Sequence, residues 1–195
     1  MTERIVMRQG CRILTPSQYY KLREQLDQNI GYRLITDALL NTGMRTIEFW
    51  ALMQHPDWYH SSSRVIDLPK SGASKKEKSG RKERTIRLTA AGCKSLDTLF
   101  SAGIAYESRQ AMGQALKRAS VSAGLGKEGI MPKMFRKMLV SWLIECRKEI
   151  GADVFDITAS MGHDEKTIRD NYLGTKWDKQ DREDMLDFLK GWRGE

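Results

Sequence analysis

The chain has 195 residues, of which 40% are hydrophobic and 30% charged, and 33 Lys plus Arg against 25 Asp plus Glu give a formal charge of +8. That length supports one full core but not two large domains, and no apolar run approaches the roughly 20 residues of a membrane span. The opening MTERIVMRQG has no signal-type apolar stretch, so an intracellular protein is expected.

Cys11, Cys93 and Cys146 are odd in number, widely spaced and without a CxxC pair. That spacing argues against a disulfide framework and a zinc site and for buried free thiols. The basic balance favours a polyanionic partner, and its distribution is uneven. Between residues 70 and 87, Lys70, Lys75, Lys76, Lys78, Arg81, Lys82, Arg84 and Arg87 face only Glu77 and Glu83, a net of +6.

In chain order, Thr15-Pro16-Ser17-Gln18 predicts a helix start, with an N-cap, a first-turn proline and a capping-box glutamine, running to about Gln28. Helical spacing continues over 31–41, Gly43 breaks the backbone, a further helix follows, and Pro56 ends it. RVIDL (64–68) and RTIRL (84–88) alternate as strands, so a β-hairpin with a long basic tip is expected between them. Helices then follow at 89–100, 107–121, 133–149, 153–160, from about Asp164, and at 178–192. The expected class is α+β, mostly α-helical, with a small antiparallel sheet inserted early. Residues 1–10 read as a tail and 11–195 as one domain.

Five features stand out from this frame. TGMRTIEF puts Arg45 after a glycine, with Glu48 one turn on along the same helix face. Lys70 closes the first strand at the mouth of the basic tip. PKMFRK sets Lys133 and Arg136 side by side at a helix N-terminus, where the macrodipole disfavours cations unless an anion is present. Gly162-His163 precedes the next helix, and Tyr172 follows His163 by nine residues. Each alone has an ordinary reading: a surface ion pair, a solvated lysine, a basic helix end, a structural tyrosine.

As an ordered set they resemble the tyrosine recombinase (phage integrase) family. Its pattern is an Arg in a TG-[LM]-R-x-x-E box, a hairpin Lys, His-x-x-Arg on a helix, then Gly-His and a nucleophilic Tyr. The match covers roughly residues 11–177. Lys133 stands where the family has the first His, which looks like a variant found among archaeal viral integrases. The family's N-terminal clamp domain is not expected within this sequence.

The resemblance implies a tyrosine recombinase-like catalytic domain, acting on double-stranded DNA as a dimer or tetramer, cytoplasmic and nucleoid-associated, without metal or cofactor. It implies Tyr172 as nucleophile, Arg45 and Arg136 as phosphate-binding guanidiniums, and Glu48 holding Arg45 in register. Lys70 is the implied general acid, with Lys75, Lys76 and Lys78 as competitors. Lys133 and His163 become phosphate donors or proton-transfer assistants. Two arginines suit the chemistry because each presents a planar, always charged fork to non-bridging oxygens. A tyrosine phenol, with a reference pKa of about 10, is expected to be pulled toward phenolate by these cations. Lys75, Lys76, Lys78, Arg81 and Lys82 should hold the DNA backbone, with Lys117 and Arg118 as further groove or backbone contacts. The apolar face of the last helix should pack either on its own molecule or on a neighbouring subunit. The alternatives are a type IB topoisomerase, which uses similar residues, and a DNA-binding protein of the same fold without catalysis.

Overall fold

The computed structural model describes residues 5–27, 29–70, 83–104, 108–162, 165–172 and 177–192. The chain opens with a hairpin, β1 (Val6–Arg8) and β2 (Cys11–Ile13), in the register Val6↔Ile13 and Arg8↔Cys11. Gln9 and Gly10 both take positive φ, 47° and 70°, which gives the tight loop a twist matching its strands. Part of the stretch expected as a tail is therefore a strand. Helix α1 (Pro16–Glu24) starts as expected, with Thr15 and Gln18 forming a reciprocal capping box, but ends at Glu24, short of Gln28, in a turn that buries Leu26.

Helix α2 (Ile30–Thr42) is buried along its whole second half and ends at Gly43, in the left-handed conformation common after a helix C-terminus. Helix α3 (Thr46–Gln54) follows, and Pro56 does not end helical structure outright, because a single 3-10 turn (Pro56–Trp58) succeeds it. The sheet then runs β3 (Tyr59–His60), β4 (Val65–Leu68) and β5 (Arg84–Arg87), antiparallel in that order, with Leu68 opposite Arg84. The expected pair of strands is present, and β3 joins as a third.

Among the described residues, five helices then precede the last: α4 (Ala90–Ser101), α5 (Arg109–Ser122), α6 (Met134–Glu145), α7 (Val154–Met161) and α8 (Glu165–Tyr172). Helix α6 is the axis of the core. All its residues from Met134 to Ile144 are buried except Lys137, and Trp142 donates its indole N–H to the Leu14 carbonyl at 3.2 Å. Each large side chain so buried stabilises by about 1.5–3 kcal/mol. The last helix, α9 (Lys179–Leu189), packs on α1 and α6 of its own chain through Met185 and Leu189, and Phe188 meets the Trp142 ring edge-on at 5.1 Å. Cys11, Cys93 and Cys146 are buried free thiols, as expected. Among the described residues, no helix is long and apolar enough to cross a membrane.

Candidate active site

Arg45 is the residue at which the chain, just released from the left-handed turn of Gly43, re-enters a helix. Its extended backbone (φ −68°, ψ 147°) makes it the N-cap of α3. Glu48, one turn on, accepts the Arg45 backbone N–H at 2.9 Å through Oε2 and the Arg45 Nη1 at 2.7 Å through Oε1. The expected pair is present, but it is no surface ion pair: Glu48 is 0% exposed. A carboxylate taken wholly out of water is costly unless it is paired and hydrogen-bonded. Arg84 supplies the second partner, Nη2 to Oε2 at 2.7 Å and Nη1 to Oε1 at 3.2 Å. Burial pushes the Glu48 carboxyl up, but the Arg84 fork and then Arg45 outweigh it and hold the group at about 2.

The same guanidiniums converge on the C-terminal end of α7. Three successive carbonyls there accept from three different arginines: Ser160 from Arg84 Nε at 3.2 Å, Met161 from Arg136 Nη2, and Gly162 from Arg45 Nη2 at 3.4 Å. The last carbonyls of a helix have no partner within it and carry the negative end of its dipole, so cations belong there. Arg136 also donates Nη1 to the carbonyl of Gly43 at 2.8 Å, the matching end of α2. Gly162 takes φ 60°, and a Cβ on it would lie 3.0 Å from Arg84 Cδ.

One buried carboxylate thus faces three guanidiniums, an excess of positive charge. Arg136 feels it most, and the expectation of an always charged fork is corrected there for the DNA-free protein. Its side chain is buried, and that burial, with the like charge of Arg45, brings its guanidinium down to about 9 although Glu48 acts in the opposite direction. An anion placed here would reverse the shift.

Tyr172 closes α8, only 7% exposed. Burial raises its phenol above the usual value, and Arg136, foremost of the cations, then Arg45 and Arg8 act to lower it without prevailing. The expectation of a phenol pulled toward phenolate is therefore corrected: in the DNA-free protein desolvation wins, because both the phenol and its strongest cation are buried.

Of the remaining expected residues, Lys70 is exposed in the turn just after β4, and Lys133 is exposed as the N-cap of α6 (φ −67°, ψ −11°). His163, Lys75, Lys76, Lys78, Arg81 and Lys82 lie outside the described residues. Lys117 and Arg118 stand on the solvent face of α5, whose inner side is Met112, Leu116 and Ala119. The structure brings together Arg45, Glu48, Arg136 and Tyr172. It adds Arg84, which the sequence places at the start of the second hairpin strand without a role in the site, and Arg8 from β1. Lys137 also joins, donating to the Arg8 carbonyl at 3.2 Å and Gln9 Oε1 at 2.6 Å, which pins the first hairpin to α6. A signal for Arg84 existed: it shares strand alternation with the buried Ile86 and Leu88, so a charge was pointing inward.

No protein-family profile and no curated protein matches the sequence. Solved structures do. The chain is similar to XerA recombinase (TM-score 0.59, 13% identity, 91% of this chain and 65% of that one). It is similar to the Tn1549 transposon integrase in complex with circular intermediate DNA (TM-score 0.65, 15% identity, 90% and 66%). It is also similar to XerH site-specific recombinase bound to its difH substrate before cleavage (TM-score 0.57, 19% identity, 80% and 48%). The likeness is one of fold: a mostly helical chain with small antiparallel sheets, arranged as in the catalytic domain of tyrosine recombinases. The chain spans under two-thirds of the length of these structures.

Proposed function

We propose that this chain is a site-specific DNA recombinase or integrase that cleaves and rejoins double-stranded DNA through a covalent 3′-phosphotyrosyl intermediate. Its service would be the integration, excision or resolution of a mobile element, carried out as a dimer or tetramer on DNA. The observation that carries this reading is the buried excess of guanidinium charge beside Tyr172, where Arg136 and Arg45 converge on the successive carbonyls of Met161 and Gly162. The Lys133-x-x-Arg136 spacing fits the archaeal viral form of the family named above.

In this reading a DNA phosphodiester enters with its non-bridging oxygens toward Arg45 and Arg136, which offer N–H donors left over from their carbonyl bonds. The Tyr172 oxygen attacks phosphorus as the bond to the 5′ oxygen breaks, and that oxygen leaves with the electron pair. Lys70, or Lys75, Lys76 or Lys78, gives it a proton. Because burial keeps the phenol protonated, its proton has to leave as the new P–O bond forms; we assign its acceptance to the His163 imidazole, with Lys133 donating to a phosphoryl oxygen. Charge building on the phosphoryl oxygens meets guanidiniums already fixed by backbone carbonyls, so little reorganisation is needed at the moment of reaction. The phosphotyrosyl ester keeps the energy of the broken bond, and the reverse attack by a 5′ hydroxyl rejoins the strand without ATP.

The test is incubation with a pool of nicked duplexes of random sequence, followed by denaturation and recovery of protein-linked DNA. An adduct formed by the wild type and lost in Tyr172→Phe is expected. Binding without any adduct would favour a DNA-binding protein of this fold. Adducts spread over the pool without sequence preference, with relaxation of supercoiled plasmid, would favour a topoisomerase.

A further inference from the structure

We propose that Arg84 is a positioning residue of this site, a side chain that fixes the hairpin sheet, the Arg45 fork and the C-terminal end of α7 against one another. The inference rests on the reading of Arg45, Arg136 and Tyr172 given above. All three guanidinium nitrogens of Arg84 are engaged by protein acceptors: Nε by the Ser160 carbonyl at 3.2 Å, Nη1 and Nη2 by the two Glu48 oxygens at 3.2 and 2.7 Å. Arg84 therefore points its fork into the protein, and its side chain is 7% exposed.

What it joins matters more than its burial. Arg84 begins β5 directly opposite Leu68, two residues before Lys70. The free edge of β5 is closed by the same helix end, since the Arg87 N–H donates to Ser160 Oγ at 3.1 Å and Arg87 Nη1 lies 3.5 Å from Asp156. Ser160 thus holds the strand through its hydroxyl and Arg84 through its carbonyl. On the other side Glu48 passes the constraint to Arg45, whose Nη1 it fixes at 2.7 Å and whose backbone it caps. The strand pair leading to Lys70 and the helix end leading to Tyr172 are both tied to the carboxylate that holds Arg45 through this fork. Lysine cannot replace it, because a single ammonium cannot span both carboxylate oxygens and a carbonyl in one plane.

The experiment compares wild type with Arg84→Lys, the variant both alone and in sucrose as a stabilising osmolyte. For each, DNA affinity and its salt dependence are measured with the nicked pool, together with adduct rate at saturating DNA and stability in urea. Arg84→Lys should keep wild-type affinity within about twofold and keep its salt slope, while the saturating rate falls by about a hundredfold, the scale of a small misplacement of reacting groups. Sucrose should restore the variant's stability toward that of wild type without restoring its rate. A rate that recovers with stability would reduce Arg84 to a structural role and overturn the proposal. So would a salt slope lowered by about one with an unchanged saturating rate, the mark of a direct phosphate contact. If the wild type forms no adduct, the enzymatic reading falls, and ¹⁵N-arginine NMR decides the positioning role alone. Slow rotation of the Arg45 guanidinium in wild type that becomes fast in Arg84→Lys supports it, and unchanged rotation overturns it.

Discussion

The Arg136 guanidinium donates to the carbonyl of Gly43 at 2.8 Å, so the first turn of α6 is bonded to the left-handed end of α2 across 93 residues of chain. Gly43 has φ 58°, and a Cβ there would sit 2.8 Å from Leu139 Cδ2 and from the Met161 sulfur. Gly43→Ala therefore combines left-handed strain of about 1–2 kcal/mol with overpacking of about 1–3 kcal/mol. We expect a loss of about 2–5 kcal/mol in urea unfolding and a slower adduct, since the carbonyl that orients Arg136 has to move. A variant as stable as wild type would show that this turn has room the structure does not display.

Glu48 makes acid stability a direct readout of the arginine cluster. Its carboxyl is held at about 2 in the folded protein against an ordinary 4.5. A depressed carboxylate contributes stability that is complete above about pH 4.5 and lost as the pH falls toward about 2. The linkage amounts to about 3 kcal/mol. Glu48→Gln should be less stable at neutral pH, because three guanidiniums lose their counter-charge, and should show a shallower decline through that acid window. Parallel urea titrations of both proteins check it, and equal slopes would remove Glu48 as the titrating group.

The parts of this arrangement differ in how far they could be read from sequence. Thr15-Pro-Ser-Gln and Gly43 encode their caps locally, within one turn, and both were legible. The first hairpin was not: its strands are three residues long, and its Gln-Gly loop is a weaker turn signal than Asn-Gly. The pairing of Arg45 with Glu48 is a helix neighbour relation and followed from spacing. Arg84 meets Glu48 from 36 residues away and Ser160 from 76, so its role depends on the packing of β5 against α7. The sequence places it in the strand RTIRL and counts its charge with residues 70–87, but shows no partner for it. The direction of the Tyr172 shift was misjudged for a related reason. Sequence shows which cations exist, whereas desolvation depends on how deeply α8 seats its last residue.

The identity of the general acid can be settled by changing the leaving group. A proton is needed because a 5′ alkoxide leaves poorly. A 5′ bridging sulfur leaves as a thiolate, whose reference pKa is about 8.5, and needs none. Lys70→Ala should slow adduct formation on ordinary DNA by about 10²–10⁴-fold and react at near wild-type rate on the sulfur substrate. Lys75→Ala, Lys76→Ala and Lys78→Ala should change affinity more than rate. Rescue of one of these three, with Lys70→Ala slow on both substrates, would move the assignment into the tip.

The pH profile should separate Tyr172 from Arg136. The phenol lies above its usual 10 through burial, so the rate of adduct formation should climb with pH and reach no plateau below about 10. Arg136 acts with the opposite sign. Its guanidinium in the free protein lies at about 9, and deprotonation there removes the cation that receives the phosphate. At low DNA concentration, where the rate reports the free protein, the profile should therefore turn over near about 9. At saturating DNA the bound phosphate favours the protonated guanidinium and raises its pKa, so the falling limb should move to higher pH while the rising limb continues. Rapid-quench measurement of the adduct between about pH 6 and 10, at both concentrations, checks the pair together. A turnover at the same pH in both series would mean that Arg136 does not receive the phosphate, and a flat profile would mean that the Tyr172 proton is not in flight in the rate-limiting step.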